Sequence, residues 1–281
     1  MSRRHSHTVV LIQADTRLTA ANGGHLYTTM PVNKKVCKHL NYEYRFVHID
    51  KKLISCCVRS DELDNQTPIR KDRYAKIFLI DSILKETDAD VLVFLDSDAW
   101  VQNCNYLNQL ICKLVDEKTK IGCFSRDPYC QKNTYVNSGS FILKVNDSTR
   151  KMYDIIKYNY YNFPKTGVCK RFNDQYYISN YVYDNKEDYY IFEPTILNSP
   201  VGKILRHNWW KDRRINEDTK LLMNEDFENQ PNYLNLDKYL DNKPWPNKSK
   251  SCEEWRKKSK SSQKNTGKTS SISGISTENK K

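Results

Sequence analysis

Two carboxylates spaced i, i+2 close the run Val91-Leu-Val-Phe-Leu-Asp96-Ser97-Asp98. An unbroken apolar run leading into paired acids reads as a central strand buried on both faces. At a strand end the i and i+2 side chains share one face, so both carboxylates can approach a single ion. Acids at the mouth of a buried strand are costly without a cation. Two hard oxygen ligands suit Mn2+ or Mg2+. In open α/β sheets ligands collect outside the carboxyl ends of the strands, where these acids would lie. Asp88-Ala-Asp90 has the same spacing but precedes the strand in a polar stretch, and reads as a solvated connection. Context, not spacing, separates the two pairs.

The elements that would position these acids alternate in type. Thr8–Ala14 reads as a first buried strand, followed by Asp15, Thr16 and Arg17. A helix over Tyr27–Leu40, interrupted near Pro31, leads to a strand over Tyr42–Asp50, and 51–68 is polar enough for a loop. Arg73–Glu86 carries an apolar helical stripe and runs into the central strand. Helices are expected over 105–116, 148–161 and 174–183. Short strands are expected at 121–125 and 190–194, with a turn at Asn137-Ser-Gly139 entering another strand and a last element over 203–210. Strand–helix alternation of this kind predicts an α/β fold, a single Rossmann-like domain with a mostly parallel sheet flanked by helices. The domain should span residues 1–246. From Asn247 the chain is rich in Ser, Lys, Thr and Asn, the composition of a disordered basic tail over 247–281.

Charge and cysteine usage narrow the functional classes. Ten Lys/Arg against three Glu in 247–281 account for +7 of the net +12, leaving a mild +5 on the rest. That balance suits an anionic small ligand and gives no reason to expect a specific nucleic-acid surface. An odd nine cysteines, without a CxxC pair or an apolar leader, predict reduced thiols and a cytoplasmic chain. No stretch approaches the roughly 18–20 apolar residues of a transmembrane span. Arg73 and Lys76 fall one helical turn apart and could meet an anionic ligand. Lys211 is a candidate phosphate contact, and Trp209, Trp210 and the run Tyr158-Asn-Tyr-Tyr161 could stack on a ligand if they are not core.

Several spaced segments together resemble the GT-A fold glycosyltransferases, and most nearly the galactosyl/xylosyl transferase family, glycosyltransferase family 34. They are Tyr74-Ala-Lys76-Ile, Val91–Ala99, Asn137-Ser-Gly139-Ser-Phe, Asn173-Asp174-Gln175 and Arg206-His207, in the expected order. After His207 the family usually has His-Phe-Ala-Gly or similar, whereas this chain has His-Asn-Trp-Trp-Lys. The resemblance implies that Asp96 and Asp98, with Ser97 between them, hold Mn2+ or Mg2+ against the diphosphate of a nucleotide sugar, with His207 as third ligand. It implies that Asp15, Thr16 and Arg17 meet the nucleoside, and that Asp174 and Gln175 lie beside the reacting sugar. Asn137 and Gly139 would form a small turn that lets backbone approach the sugar. A UDP-sugar donor, a glycan or other hydroxyl acceptor, and retention of configuration are expected on the same ground, with Asp174 as the base in an inverting alternative.

Two rivals come from other classes. Phosphatases of the haloacid-dehalogenase type also end an apolar strand in Asp-x-Asp, but normally on the first strand, and here a strand–helix–strand unit precedes it. A basic nucleic-acid-binding protein would account for the total charge, but not for its concentration in 247–281.

Overall fold

The apolar runs assemble into one six-stranded sheet. A computed structural model describes residues 7–17, 25–57, 71–131, 134–162, 174–208 and 215–243, with backbone alone at 56, 57, 71–73, 129–131 and 134. In chain order the elements are β1 (Val9–Asp15), α1 (Leu26–Leu40), β2 (Glu43–His48), α2 (Lys51–Cys57), α3 (Lys71–Glu86), β3 (Val91–Asp96), β4 (Ala99–Val101) and α4 (Cys104–Asp116). There follow β5 (Gly122–Gln131), β6 (Thr134–Lys144), α5 (Asp147–Asn162), α6 (Asp174–Asp184), β7 (Tyr189–Phe192), α7 (Pro194–Leu197), β8 (Leu205–His207) and α8 (Ile215–Asn224). Strand order is β2-β1-β3-β6-β5-β7, and β4 pairs separately with β8. Only β6 runs against the other strands of the large sheet, so the sheet is mostly parallel as expected.

Burial on both faces explains the unbroken apolar runs. Val9, Leu11, Val91, Val93 and Leu95 pack beneath α1 and α4, while Val10, Ile12, Leu92 and Phe94 pack beneath α3, α5 and α6. Phe94, Phe141 and Phe124 stack in sequence at 5.1 and 5.2 Å between ring centres. Truncating a buried Phe of this kind costs about 3–5 kcal/mol. Tyr160 belongs to the same core, 5.1 Å from the Tyr74 ring, so that member of the tyrosine run is structural.

Five local expectations need correction. Pro31 does not interrupt α1: it sits on the exposed side, and Val32, Asn33 and Val36 hold the helix to the sheet. Residues 51–57 form α2 rather than a loop, because the Asp50 carboxylate accepts the Leu53 N–H at 2.7 Å and caps the helix. β5 continues beyond Ser125 to Gln131. Asn137-Ser-Gly139 lies within β6, not in a turn before it. The fifth correction is the largest: after the expected last element comes α8, then a strap that runs back over α4. Gln109 and Leu234 exchange two hydrogen bonds at 2.9 Å, and Gln230 Oε1 accepts the Cys104 N–H at 2.8 Å. The strap ends against β7, where the Asp241 N–H donates to the Ile191 carbonyl at 2.7 Å and Arg126 pairs with buried Asp241 at 2.7 Å. It thereby covers the edge of the sheet.

Cys37 and Cys104 are buried thiols whose titration burial pushes up to about 12 and about 11, which makes them inert. Among the described residues no helix is long and apolar enough to cross a membrane. The expected basic tail lies outside the described residues.

Candidate functional site

β3 delivers Asp96 to the carboxyl end of the sheet, and the next turn carries Ser97 and Asp98 into β4. β4 pairs antiparallel with β8, setting Ala99 opposite His207, and the Asn208 N–H donates to the Asp98 carbonyl at 3.0 Å. That small ladder brings His207 to the two acids. Its Nε2 lies 3.1 Å from Asp98 Oδ1 and 4.0 Å from Asp96 Oδ2. Asp96, Asp98 and His207 each offer a ligand atom, all within 4.8 Å of one another, a spacing that one divalent ion can bridge.

Buried polar side chains hold the turn from beneath. Gln13 Nε2 donates to the carbonyls of Asp96 and Ala99 at 3.3 and 3.2 Å, and Tyr44 donates to Gln13 Oε1 at 2.8 Å. Thr29 Oγ1 donates to the Ser97 carbonyl at 2.6 Å. Asn33 donates to the Ala99 carbonyl at 3.2 Å and accepts the Val101 N–H at 3.0 Å. Sequence reasoning passed over all of them. Their signal was present, since Gln13 is a polar residue inside an apolar strand and Thr29 and Asn33 share the apolar face of α1.

The charges interlock. Lys76, buried at the base of the site, places Nζ 2.8 Å from Asp96 Oδ1, 3.0 Å from Asp174 Oδ2 and 3.2 Å from the Ser138 carbonyl. Burial pushes its ammonium down, but Asp174 and Asp96 outweigh that and hold it above the usual lysine range. Asp96 is raised, because burial exceeds the opposing pull of Lys76 and His207. Burial works the same way on Asp98, yet the charge and hydrogen bond of His207 hold it down at about 2. For His207, burial lowers the imidazole, but the Asp98 carboxylate outweighs it and raises it above the ordinary histidine value.

The remaining candidates fall around this centre. Asp174 Oδ2 also accepts from Ser138 Oγ at 2.7 Å, so the carboxylate is engaged on the protein side. Gln175 donates to Asp127 and accepts the Ser138 N–H at 3.4 Å. Asp15 is buried at the end of β1. Its Oδ1 accepts from the Arg17 backbone N–H at 2.9 Å and from Arg17 Nε at 3.1 Å, while Oδ2 is buried without a hydrogen-bond partner. Thr16 Oγ1 lies 3.4 Å from the same Oδ1, and Arg17 Nη2 reaches Ser97 Oγ at 3.5 Å. Asn137 Oδ1 accepts the Gly139 N–H at 2.7 Å. The space beside Gly139 is filled by His207: a Cβ there would lie 2.3 Å from the imidazole Cε1. Backbone at Arg73 is part of α3, but its side chain lies outside the description, as do Lys211, Trp209 and Trp210 entirely.

No family model and no curated protein matches the chain. Solved structures do. A glycosyltransferase involved in the glycosylation of the major capsid of PBCV-1 is similar over 78% of this chain and 100% of its own, at 11% identity and a TM-score of 0.52. Mouse xyloside xylosyltransferase 1 covers 77% and 93% at 11% identity, with a TM-score of 0.43. The galactosyltransferase LgtC, in complex with donor and acceptor sugar analogs, covers 89% and 100% at 14% identity, with a TM-score of 0.46. The first likeness carries the conclusion that this is the GT-A glycosyltransferase fold; the other two add no weight to it.

Proposed function

We propose that the chain is a metal-dependent glycosyltransferase that moves a sugar from a nucleotide sugar, UDP-linked by preference, to a glycan or other hydroxyl acceptor with retention of configuration. The observation that carries this reading is the cluster of Asp96, Asp98 and His207 at the carboxyl mouth of the sheet, on a GT-A fold. Two carboxylates and an imidazole suit Mn2+, and Mg2+ less closely. When bound there, a divalent ion supplies positive charge against the diphosphate that leaves.

The side chains divide the remaining work. Lys76 engages Asp96 Oδ1 and leaves Oδ2, on the side of His207, as the oxygen that would serve as a ligand. The unpartnered Oδ2 of Asp15 offers an acceptor to a donor group of the nucleoside. Arg73 and Lys211 are assigned to the phosphates, and Asn137 and Gln175 to hydroxyls of the sugar. Asp174 is held by Lys76 and Ser138, and acting as a base would cost it that ion pair. This supports transfer on one face of the sugar: its bond to the diphosphate oxygen breaks, its bond to the acceptor oxygen forms, and the acceptor proton passes to the departing diphosphate.

Incubation with a panel of nucleotide sugars, with and without Mn2+, tests the reading. We expect Mn2+-dependent donor hydrolysis or transfer that Asp98→Asn removes while the melting temperature is kept. Turnover that ignores both metal and substitution rejects it.

A further inference from the structure

Asn198 follows directly on α7 and is completely buried. Its amide oxygen faces His207 Nδ1 at 2.8 Å. Ser140 of β6 braces that amide: its hydroxyl hydrogen-bonds the Leu197 carbonyl and lies 3.1 Å from Asn198 Oδ1. Gly139 closes the other side, since a Cβ there would stand 2.6 Å from Nδ1 itself. The imidazole is thus wedged between the bare backbone of β6 and one amide.

An oxygen facing Nδ1 requires a hydrogen on that nitrogen. The opposite nitrogen, Nε2, is then the one presented to Asp96 and Asp98. Asn198 Nδ2 is buried with no hydrogen-bond partner. A buried donor left unmet costs the fold free energy.

We propose that Asn198 is a positioning residue for a divalent cation: by holding Nδ1–H it fixes which nitrogen His207 presents and in what direction. This rests on reading Asp96, Asp98 and His207 as a metal centre. Outer partners of metal-bound histidines typically govern affinity about 10–100-fold.

Titration with Mn2+ alone, following the free ion by electron paramagnetic resonance, tests the assignment in the full chain. Asn198→Asp keeps an acceptor, Asn198→Leu keeps similar bulk without one, and Asp98→Asn removes a ligand. We expect Asn198→Leu to weaken binding about 10–100-fold, Asn198→Asp to retain it, and Asp98→Asn to abolish it. Binding lost in Asp98→Asn but unchanged in Asn198→Leu overturns the role of Asn198 and leaves the metal centre standing. Equal weakening in both Asn198 variants also overturns it, because bulk rather than the acceptor would then matter. An unaltered protein that binds no Mn2+ overturns the metal centre and this inference together. Should Asn198→Leu fail to fold, the 15N spectrum of the His207 ring in the Mg2+-loaded unaltered protein decides. A proton on Nδ1 supports the assignment and one on Nε2 ends it.

Discussion

His207 would meet opposite demands in the metal-free protein and in the proposed metal-bound one. Without metal, burial disfavours its charge, but Asp98 outweighs burial and raises its titration. That pair therefore stabilises the fold fully below the ordinary histidine value, and the contribution is lost as pH rises through the raised one. Metal reverses the trend. A cation needs the nitrogen that the proton holds, so binding should tighten as pH rises through the same range, while Asp98, held at about 2, stays ionised throughout. Melting temperatures with Mn2+ and with a chelator, compared from about pH 5 to about pH 9, should separate progressively at higher pH. A gap that ignores pH counts against His207 as a ligand. Gly139 offers an independent probe, because its missing Cβ is what leaves room for the ring. Gly139→Ala should displace the imidazole and weaken Mn2+ at least about tenfold; unchanged affinity would mean the ring has room to give.

β3, β4 and β8 form the device that joins Asp96, Asp98 and His207, and Lys76 and Gln13 are its buried supports. Lys76→Met leaves Asp96 and Asp174 without their cation, and should destabilise the protein by about 3–5 kcal/mol in urea denaturation. A loss below about 1 kcal/mol would show that water already shares the pair's charge. Gln13→Leu fills the same space but strips four hydrogen bonds around the turn. It should cost about 1–3 kcal/mol and weaken Mn2+ with it. How much of this was legible varies with the length of the pattern that encodes it. β1 and β3 announce themselves, because strands covered on both sides need unbroken apolar runs. Asp96 and Asp98 follow from such a run ending in acids. β4 and β8 are only three residues each, too short to show a period, so their pairing was invisible. Asn198 looks like any loop asparagine until His207 is beside it. At Gly139 the expectation was backbone open to a sugar, and the space beside it holds the His207 ring. α8 escaped notice because its buried face is only Ile215, Thr219 and Leu222.

At the scale of the molecule, the strap over α4 and β7 separates two truncations that sequence position alone would treat alike. Removing 247–281 should leave the melting temperature nearly unchanged, whereas removing everything from Asp226 onward strips the Gln230 and Gln109 contacts and the Arg126–Asp241 pair. The second truncation should expose the β7 edge and yield aggregated protein, measured by light scattering. A large drop on removing 247–281 would show that those residues are docked. The contact between His207 and Asp98 has a kinetic consequence of its own. It joins positions 109 residues apart, a closure whose entropic cost other contacts must help to offset. The cluster of Asp96, Asp98 and His207 should therefore form late in refolding. Capture of Mn2+ should lag behind the recovery of far-ultraviolet dichroism, making the ion a reporter of completed folding rather than its nucleus.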